Sequence, residues 1–504
     1  MSNVADILAE LRRQGVTPSG ISADSRSVGP GQVFAAMPGV RSDGRAYIAD
    51  ALAHGAAAVV WENVDAGDCA ARLGNAPNVP VAGLQALAGE LAHEIYGRPS
   101  EHLWLCGITG TNGKTSVSQW IAQAYARLGR RCGVIGTLGS GLPGALLESA
   151  NTTPDAISVH ATLAALRAAG AEACAMEVSS IGLDQGRVNA AHFDTVVFTN
   201  LTRDHLEYHG SMIDYGAAKA RLFEMPGIRT AVFNLDDPLG VVLGANLAGR
   251  GVRRIGYTLD EHCPHADSVD EVLAARNLTV GGAGLNFSVA TAAGEVVVGA
   301  PLLGRFNASN LLAVLGALLG AGVAPADAAA SFAGLTPPPG RLQIVASDDA
   351  SDTLVEPLLV VDYAHTPDAL EQALRTLREV AAARGGRLLC IFGCGGDRDT
   401  GKRPLMGRVA ERFADVIVIT SDNPRSEEPQ AIIDAILAGM KSAAPVEADR
   451  AAAIRDAVRD MQPNDVLLIA GKGHEPYQEI AGRRLPYSDL EQARIALAAW
   501  RTAA

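Results

Sequence analysis

The chain has 504 residues, a formal net charge of -13, and a composition that is 48% hydrophobic and 19% charged. At about 150 residues per domain, that length makes room for roughly three domains. The acidic balance argues against nonspecific nucleic-acid binding, which draws on basic patches, but leaves room for a local basic pocket that takes an anionic small molecule.

The opening "MSNVADILAELRRQG" has no basic stretch followed by an apolar one, so no secretory signal is expected. The most apolar run is "LLAVLGALLGAGVAPA", residues 311–326, with three glycines and Pro325. It falls short of the about 18 residues of a membrane span, and a buried helix is expected there. Seven cysteines are scattered without a C-x-x-C pair. Cys390 and Cys394 flank "IFG" at the end of an apolar strand, which reads as strand packing rather than a metal site. Reduced thiols in a cytoplasmic enzyme fit this usage.

Three blocks follow in chain order. Residues 1–98 form a small α/β block containing "SADSRSVGPGQVFAAMPGVRSDGR", closed by the turn-rich "YGRPSEHL". Residues 99–337 open with the strand "LWLCGIT", a glycine loop and the helix-like "SVSQWIAQAYARLG". Further strands are expected at "RCGVIGT", "EACAMEVSS", "FDTVVFTNL" and "TAVFNLD". Alternation of strands and helices predicts βαβ units and a parallel, doubly wound sheet. The prolines of "TPPPGR", residues 336–341, mark a stiff linker. In residues 338–504, "LLVVDYA", "PDALEQALRTLREVAAAR", "RLLCIFG", "PLMGRVAERFA", "DVIVITS", "AAAIRDAVRDM" and "DVLLIAG" alternate again, predicting a second, Rossmann-like sheet. The expected class is therefore α/β with three domains.

"GITGTNGKTS", residues 107–116, ends like a P-loop but with shifted spacing. The usual pattern is G-x-x-x-x-G-K-[ST], and its first place falls on Ile108, between Gly107 and Gly110. Context still favours a phosphate cradle, because an apolar strand precedes the loop and a helix follows. Backbone N–H groups over Gly110, Thr111, Asn112, Gly113 and Ser116, with the helix N-terminus, suit phosphate oxygens. Lys114 would reach the terminal phosphates and the Thr115 hydroxyl would sit on Mg²⁺. Glu177 closes the strand "EACAMEVSS" at the edge where open α/β sheets bind ligands, and pairs with Thr115 as a candidate for that hard cation. "TRDHLEYHG" holds His205 and His209 four apart beside Asp204. No third ligand has suitable spacing, so zinc is discounted there.

The variant loop resembles the G-T-[NK]-G-K-[ST] loop of the Mur ligase family, which includes folylpolyglutamate synthases. Nearly the whole chain joins the resemblance through "DSRSVGPGQVF", "NTTP", "MEVSS", "NLTRDHLEYHG", "YGAAKARLF", "GRFNASN", "PPPGR", "VVDYAHTPDAL", "GCGGDRD", "SDNPR" and "AGKGHE", in family order. The resemblance implies an ATP- and Mg²⁺-dependent ligase of peptidoglycan synthesis. It would join meso-diaminopimelate to UDP-N-acetylmuramoyl-L-alanyl-D-glutamate through an acyl phosphate. Bringing two polyanions together makes positioning and charge compensation the main catalytic work. The partners implied are these small molecules, without nucleic acid or membrane span, and the chain is expected to act as a monomer.

Site residues are carried over on the matching motifs. Lys114, Glu177, His205 and Lys219 are the implied catalytic group. Thr115, Glu177, His205 and Lys219 are the implied metal group, His205 in the second metal region and Lys219 as a carbamate. Carbamylation would turn a cation, ordinarily of pKa about 10.4, into an anionic oxygen ligand; the residues alone favour a salt-bridged lysine. His209 is read as structural. Asn310, Arg341 and Asp362 join the loop as ATP contacts, while His365 fits equally a structural place at a helix start. Arg341 lies just past the linker, where the third domain could close on ATP held by the second. Ser25, Arg26, Arg41 and Ser42 match the uridine-nucleotide region. Asn151, Thr152, Thr153, Ser179, Gln185 and Arg187 match the muramoyl-peptide contacts. Ile181 stands where the family often has histidine, which argues against catalysis at that position.

"SDNPRSEEP", residues 421–429, bears on the amino acid added. Diaminopimelate differs from lysine by a far carboxylate, and an arginine fork selects for it. Arg425 in "DNPR" resembles the diaminopimelate-type motif, with Asp422 and Asn423 facing the distal ammonium and Pro424 shaping the turn. Arg398, Gly471 and Glu475 complete the acceptor set. Rivals are a lysine-adding relative, a folylpolyglutamate synthase, and a P-loop ATPase of another class. A dinucleotide-binding oxidoreductase, suggested by "GCGG", fails where the G-x-G-x-x-G/A pattern meets Arg398.

Overall fold

Each of three sheets is drawn from a separate stretch of the chain. The structure is a computed structural model and describes residues 3–39, 42–65, 67, 69–149, 151–281, 284–345 and 355–503. The first sheet runs β1 (Gly20–Ser22), β2 (Gln32–Ala36), β3 (Ala58–Glu62) and β4 (Asn78–Val81), all parallel and in that spatial order. β3 reads "AVVWE" and is buried throughout, as a parallel strand covered on both faces must be. Helices Val4–Arg13 and Leu84–Ile95 cover one face through Ile7, Leu11, Leu84 and Leu91.

The central sheet has ten strands. They are β5 (Trp104–Thr109), β6 (Cys132–Gly136), β7 (Gly139–Gly141), β8 (Ala173–Glu177), β9 (Thr195–Phe198), β10 (Thr230–Asn234), β11 (Arg253–Thr258), β12 (Glu271–Gly281), β13 (Gly284–Thr291) and β14 (Gly294–Ala300). The spatial order is β14-β13-β12-β11-β10-β9-β5-β8-β6-β7. β5 lies between β8 and β9, parallel to both, so the chain leaves it at a point where the winding reverses. Open α/β sheets bind ligands at such a point, beyond the carboxyl ends of the strands.

The expectation of a parallel sheet holds only for the middle strands. β7 is antiparallel to β6, and β12, β13 and β14 form an antiparallel meander. The cause is local: β13 and β14 are joined through Thr291 and Gly294 with Gly294 at φ +121°, a tight turn that only antiparallel neighbours permit. Leu285, Phe287, Val289 and Val298 from the meander share one core with the helix Arg305–Gly320. The apolar run is indeed buried in that helix, but only to Gly320. Gly322 turns at φ +78° and a second helix, Pro325–Ser331, begins at the proline.

The third sheet contains β15 (Gln343–Ile344), β16 (Leu358–Asp362), β17 (Leu388–Phe392), β18 (Val416–Ile419) and β19 (Val466–Ala470), ordered β15-β16-β19-β17-β18. Only β15 is antiparallel. A hairpin of β20 (Tyr477–Ile480) and β21 (Arg483–Pro486) stands apart. The helix Pro367–Arg384 spans the predicted segment. Thr366 caps it by accepting from the Ala369 N–H, and Gly385 at φ +68° ends it. Among the described residues no helix is long and apolar enough to cross a membrane.

Candidate functional site

The glycine loop leaves β5 at Thr109, and the helix Lys114–Arg127 starts directly after Gly113. Gly110 and Gly113 sit at φ +146° and +88°. A Cβ on Gly110 would overlap the Thr199 hydroxyl, and one on Gly113 the Asn310 carboxamide oxygen. Both glycines are therefore required by close approach, and Asn310 lies against the loop. Asn200 holds the loop by accepting from the N–H groups of Thr111 and Asn112. Lys114 Nζ donates to the Gly110 and Thr111 carbonyls at 2.8 and 2.9 Å. Burial lowers its pKa, although Glu177 and Asp204 draw it upward. Ser116 is buried in the first helical turn.

Glu177 is 1% exposed at the end of β8. Its Oε2 accepts from the hydroxyls of Thr115 and Thr137, each at 3.0 Å, and its Oε1 from the Thr137 N–H at 2.9 Å. The predicted Thr115–Glu177 pair is thus formed by β5 and β8 lying side by side. Arg341 reaches the same hydroxyl from beyond the linker, donating to Thr115 Oγ1 at 3.2 Å. Its guanidinium stacks 4.5 Å from the Tyr363 ring, and its Nε–H is buried without a partner. Asp362 fixes this corner, accepting from the N–H groups of Leu342 at 2.6 Å and Ala364 at 2.7 Å. Burial raises the Asp362 pKa.

Lys219 is 1% exposed. Its Nζ donates to the Gly110 carbonyl at 2.9 Å and lies 4.2 Å above the Tyr215 ring. Burial first, then the Lys114 charge, push its pKa well below the ordinary lysine value. The salt bridge that the residues alone suggested is not made; the amine rests on a carbonyl and a ring. His205, at φ +54°, faces Asp204 at 3.5 Å and Glu207 at 3.6 Å rather than the Thr115–Glu177 pair. His209 contacts the Ser180 hydroxyl at 2.9 Å. Asp204 also collects His365 at 3.7 Å and Lys402 at 3.6 Å from the third sheet's side. Burial works to raise its pKa, but the His365 hydrogen bond and the surrounding cations hold it well below the usual range.

A second cluster adjoins Glu177. The Thr153 hydroxyl donates to the Glu177 carbonyl and to Ser179 Oγ, and Arg187 donates to the Thr153 carbonyl at 2.8 Å and to Gln185 Oε1. Thr152 pairs with Thr137 at 3.0 Å, while Asn151 is exposed. Ile181 lies in the short helix Ser180–Asp184. In the first sheet's stretch, Ser25 is buried, and Arg26 is exposed and forks onto Asp24. Ser42 is exposed, and Arg41 lies outside the described residues.

The carboxyl edge of the third sheet gathers the acceptor set. Asn423 donates to Glu475 Oε2 at 2.7 Å and accepts from Lys472 Nζ at 2.9 Å, while Lys472 donates to Glu475 at 3.0 Å. A Cβ on Gly471 would overlap Asp422 Oδ2, and Pro424 O lies against Gly396. Arg425 holds φ +53°, pinned where its N–H donates to the Glu479 carbonyl and its carbonyl accepts from the Ala481 N–H. Its guanidinium donates to the Gly396 carbonyl at 2.7 Å and stands 3.7 Å from Glu479. Arg398 is exposed nearby.

Sequence reasoning passed over several residues of this centre. Lys472 is 0% exposed inside the quoted "AGKGHE", where a cation between two glycines was the available signal. Arg203 forks onto Asp399, and Asn112 donates to Asp368 Oδ2 at 3.0 Å. These pairs join the central and third stretches, and no local spacing announces them.

Comparison with known proteins bears on the same arrangement. Residues 17–96 match the family model described as Mur ligase family, catalytic domain; residues 108–318 match the Mur ligase middle domain; and residues 340–473 match the Mur ligase, glutamate ligase domain. The UDP-N-acetylmuramoyl-L-alanyl-D-glutamate–2,6-diaminopimelate ligase of Chromobacterium violaceum is 51% identical over 493 residues, covering 98% of this chain and 97% of its own. Its counterpart in Pseudomonas aeruginosa is 52% identical over 484 residues, covering 95% of each. A solved structure of a ligase of that description is 36% identical, with a TM-score of 0.64 over 96% of this chain and 95% of its own.

Proposed function

The chain belongs to the Mur ligase family, and from that premise we propose how its residues divide the work. It is an ATP-dependent amide ligase that adds meso-diaminopimelate to UDP-N-acetylmuramoyl-L-alanyl-D-glutamate in peptidoglycan precursor synthesis. The division into units at 1–98, 99–337 and 338–504 is part of the proposal, and each sheet falling inside one of these stretches supports it. A monomer as the working unit belongs to the same proposal.

The observation that carries the reading is the convergence of Thr115, Glu177 and Arg341 on one hydroxyl at the carboxyl edge of β5. The loop from Gly110 to Ser116 offers its N–H groups to the phosphates of ATP. Asn310 shapes the loop, Asp362 orients the Arg341 corner, and Arg341 neutralises charge that the transfer builds up. A hydroxyl and a carboxylate 3.0 Å apart are a hard-oxygen donor pair and fit Mg²⁺. Lys219 fits carbamylation, because burial shifts its amine toward the uncharged form and only the free amine adds carbon dioxide. Thr115 with Glu177 would then hold one magnesium, and His205 with carbamylated Lys219 would serve the second metal region; the charge such ions supply when bound offsets that of the phosphates.

The substrate's free carboxylate attacks the terminal phosphorus of ATP and ADP leaves. The incoming amine attacks the acyl carbon, and the tetrahedral intermediate expels phosphate. Thr153, Ser179, Gln185 and Arg187, with Asn151 and Thr152, hold the peptide part; Ser25, Arg26, Arg41 and Ser42 hold the uridine nucleotide. Arg425 and Arg398 receive the acceptor's far carboxylate, and Asp422, Asn423 and Glu475 its ammonium. Steady-state ADP release should require both the nucleotide-sugar and the amino acid, because without the amine the acyl phosphate is not consumed; sustained release at the same rate without the amino acid would contradict the proposal.

A further inference from the structure

A group of side chains that the ligase chemistry does not use sits where the first two stretches meet. His93 lies on the helix Leu84–Ile95, Glu101 on the turn Pro99–Glu101, and His192 in the loop before β9. Among the described residues these are the one set of three or more His, Cys, Asp or Glu side chains whose ligand atoms all lie within 4.8 Å of one another. His93 Nε2 stands 3.4 Å from Glu101 Oε1, and His192 Nε2 stands 3.7 Å from the same oxygen. Good N–H···O hydrogen bonds are shorter, about 2.7–3.2 Å. A tetrahedral zinc-type ion with ligands at about 2.0–2.2 Å holds its donor atoms roughly 3.3–3.5 Å apart. The spacing therefore suits donors shared around an ion better than donors bonded to each other.

The surroundings agree. His93 is 4% exposed and its Nδ1 is buried without a partner. His160, 0% exposed, packs edge-on with its ring 5.1 Å from His93, and its Nδ1 is likewise buried without a partner. The His192 ring stacks on His93 at 5.2 Å, so both turn Nε2 to one carboxylate. Burial, the largest influence, lowers the His93 pKa and so favours the neutral imidazole, the form that ligates metals. The His192 and Glu101 side chains are 44% and 37% exposed, which leaves an entry path and room for a water ligand.

We propose that His93, His192 and Glu101 form a site for a divalent transition metal of the zinc class, which fastens the first stretch of the chain to the second. Two imidazoles and one carboxylate select such an ion over Mg²⁺, which prefers an all-oxygen shell.

Cobalt(II) titrated into the tag-free full chain under saturating Mg²⁺ tests the site. One equivalent should bind with the visible absorption of tetrahedral cobalt, be displaced by Zn²⁺, and raise the thermal midpoint. His192→Ala and Glu101→Gln should each weaken binding by ~10-fold or more. Glu177→Gln should leave the signal intact. Absence of the absorption, its persistence in His192→Ala, or its loss in Glu177→Gln would each overturn the proposal.

Discussion

Arg341 donates to the Thr115 hydroxyl at 3.2 Å, although 226 residues separate them. The contact joins the phosphate-loop helix to the second residue past the prolines, and stacking on Tyr363 sets its direction. Removing the guanidinium leaves the loop intact but takes away a positive charge where phosphate is transferred. Arg341→Ala should lower kcat/KM for ATP by ~100-fold or more, at nearly unchanged thermal stability. Steady-state kinetics checks this, and unchanged ATP kinetics would count against it.

Lys219 has its amine on the Gly110 carbonyl and above Tyr215, with its pKa depressed by burial. Lys219→Ala should lose most activity, and short carboxylates should restore part of it by replacing the lost anion. Stripping bicarbonate from the wild type should slow turnover, more so as pH falls, because protonation removes the amine that adds carbon dioxide. Full turnover in Lys219→Ala would refute the role.

Arg425 is the residue proposed to select the acceptor. Its backbone is held by Glu479 and Ala481, so a substitution alters the fork more than the turn. Arg425→Ala should raise the KM for diaminopimelate by orders of magnitude, about 2–5 kcal/mol, while sparing the KM for ATP. Arg425→Lys should recover little, because a point charge does not reproduce a fork. A parallel rise in both constants would indicate a distorted domain instead.

His160 titrates with its pKa lowered to about 4 by burial, against an ordinary value of 6.5. Unfolded, it takes a proton as pH falls through 6.5; folded, it resists until about 4. The unfolded state thus binds more protons in that window, and stability falls as pH falls. Between pH 7 and 5 the wild type should lose about 2 kcal/mol more than His160→Asn. Urea unfolding with chelator present measures the difference, and equal losses would contradict it.

Much of the framework was readable because it rests on local signals. The helix Pro367–Arg384 is bounded by a threonine cap and a left-handed glycine, both visible as residue types. β5, the glycine loop and Glu177 were legible because apolar strands ending in chemistry-bearing residues follow a period and an edge rule. The meander β12–β14 was not anticipated, although "TVGGAGLNF" and "TAAGEV" place glycine turns between alternating apolar residues, the available mark of hairpins. Nor were Arg203–Asp399, Asn112–Asp368 and the Lys472 contacts, which depend on where distant edges meet. Lys219 was singled out by motif, but only its three-dimensional burial explains why its amine would be free.

The most direct measurement is product mass with matched acceptors. The purified chain receives ATP, Mg²⁺ and UDP-N-acetylmuramoyl-L-alanyl-D-glutamate with either meso-diaminopimelate or L-lysine. A product with diaminopimelate alone is expected from Arg425 and its neighbours. A product mainly with lysine, or none with either, would contradict that assignment.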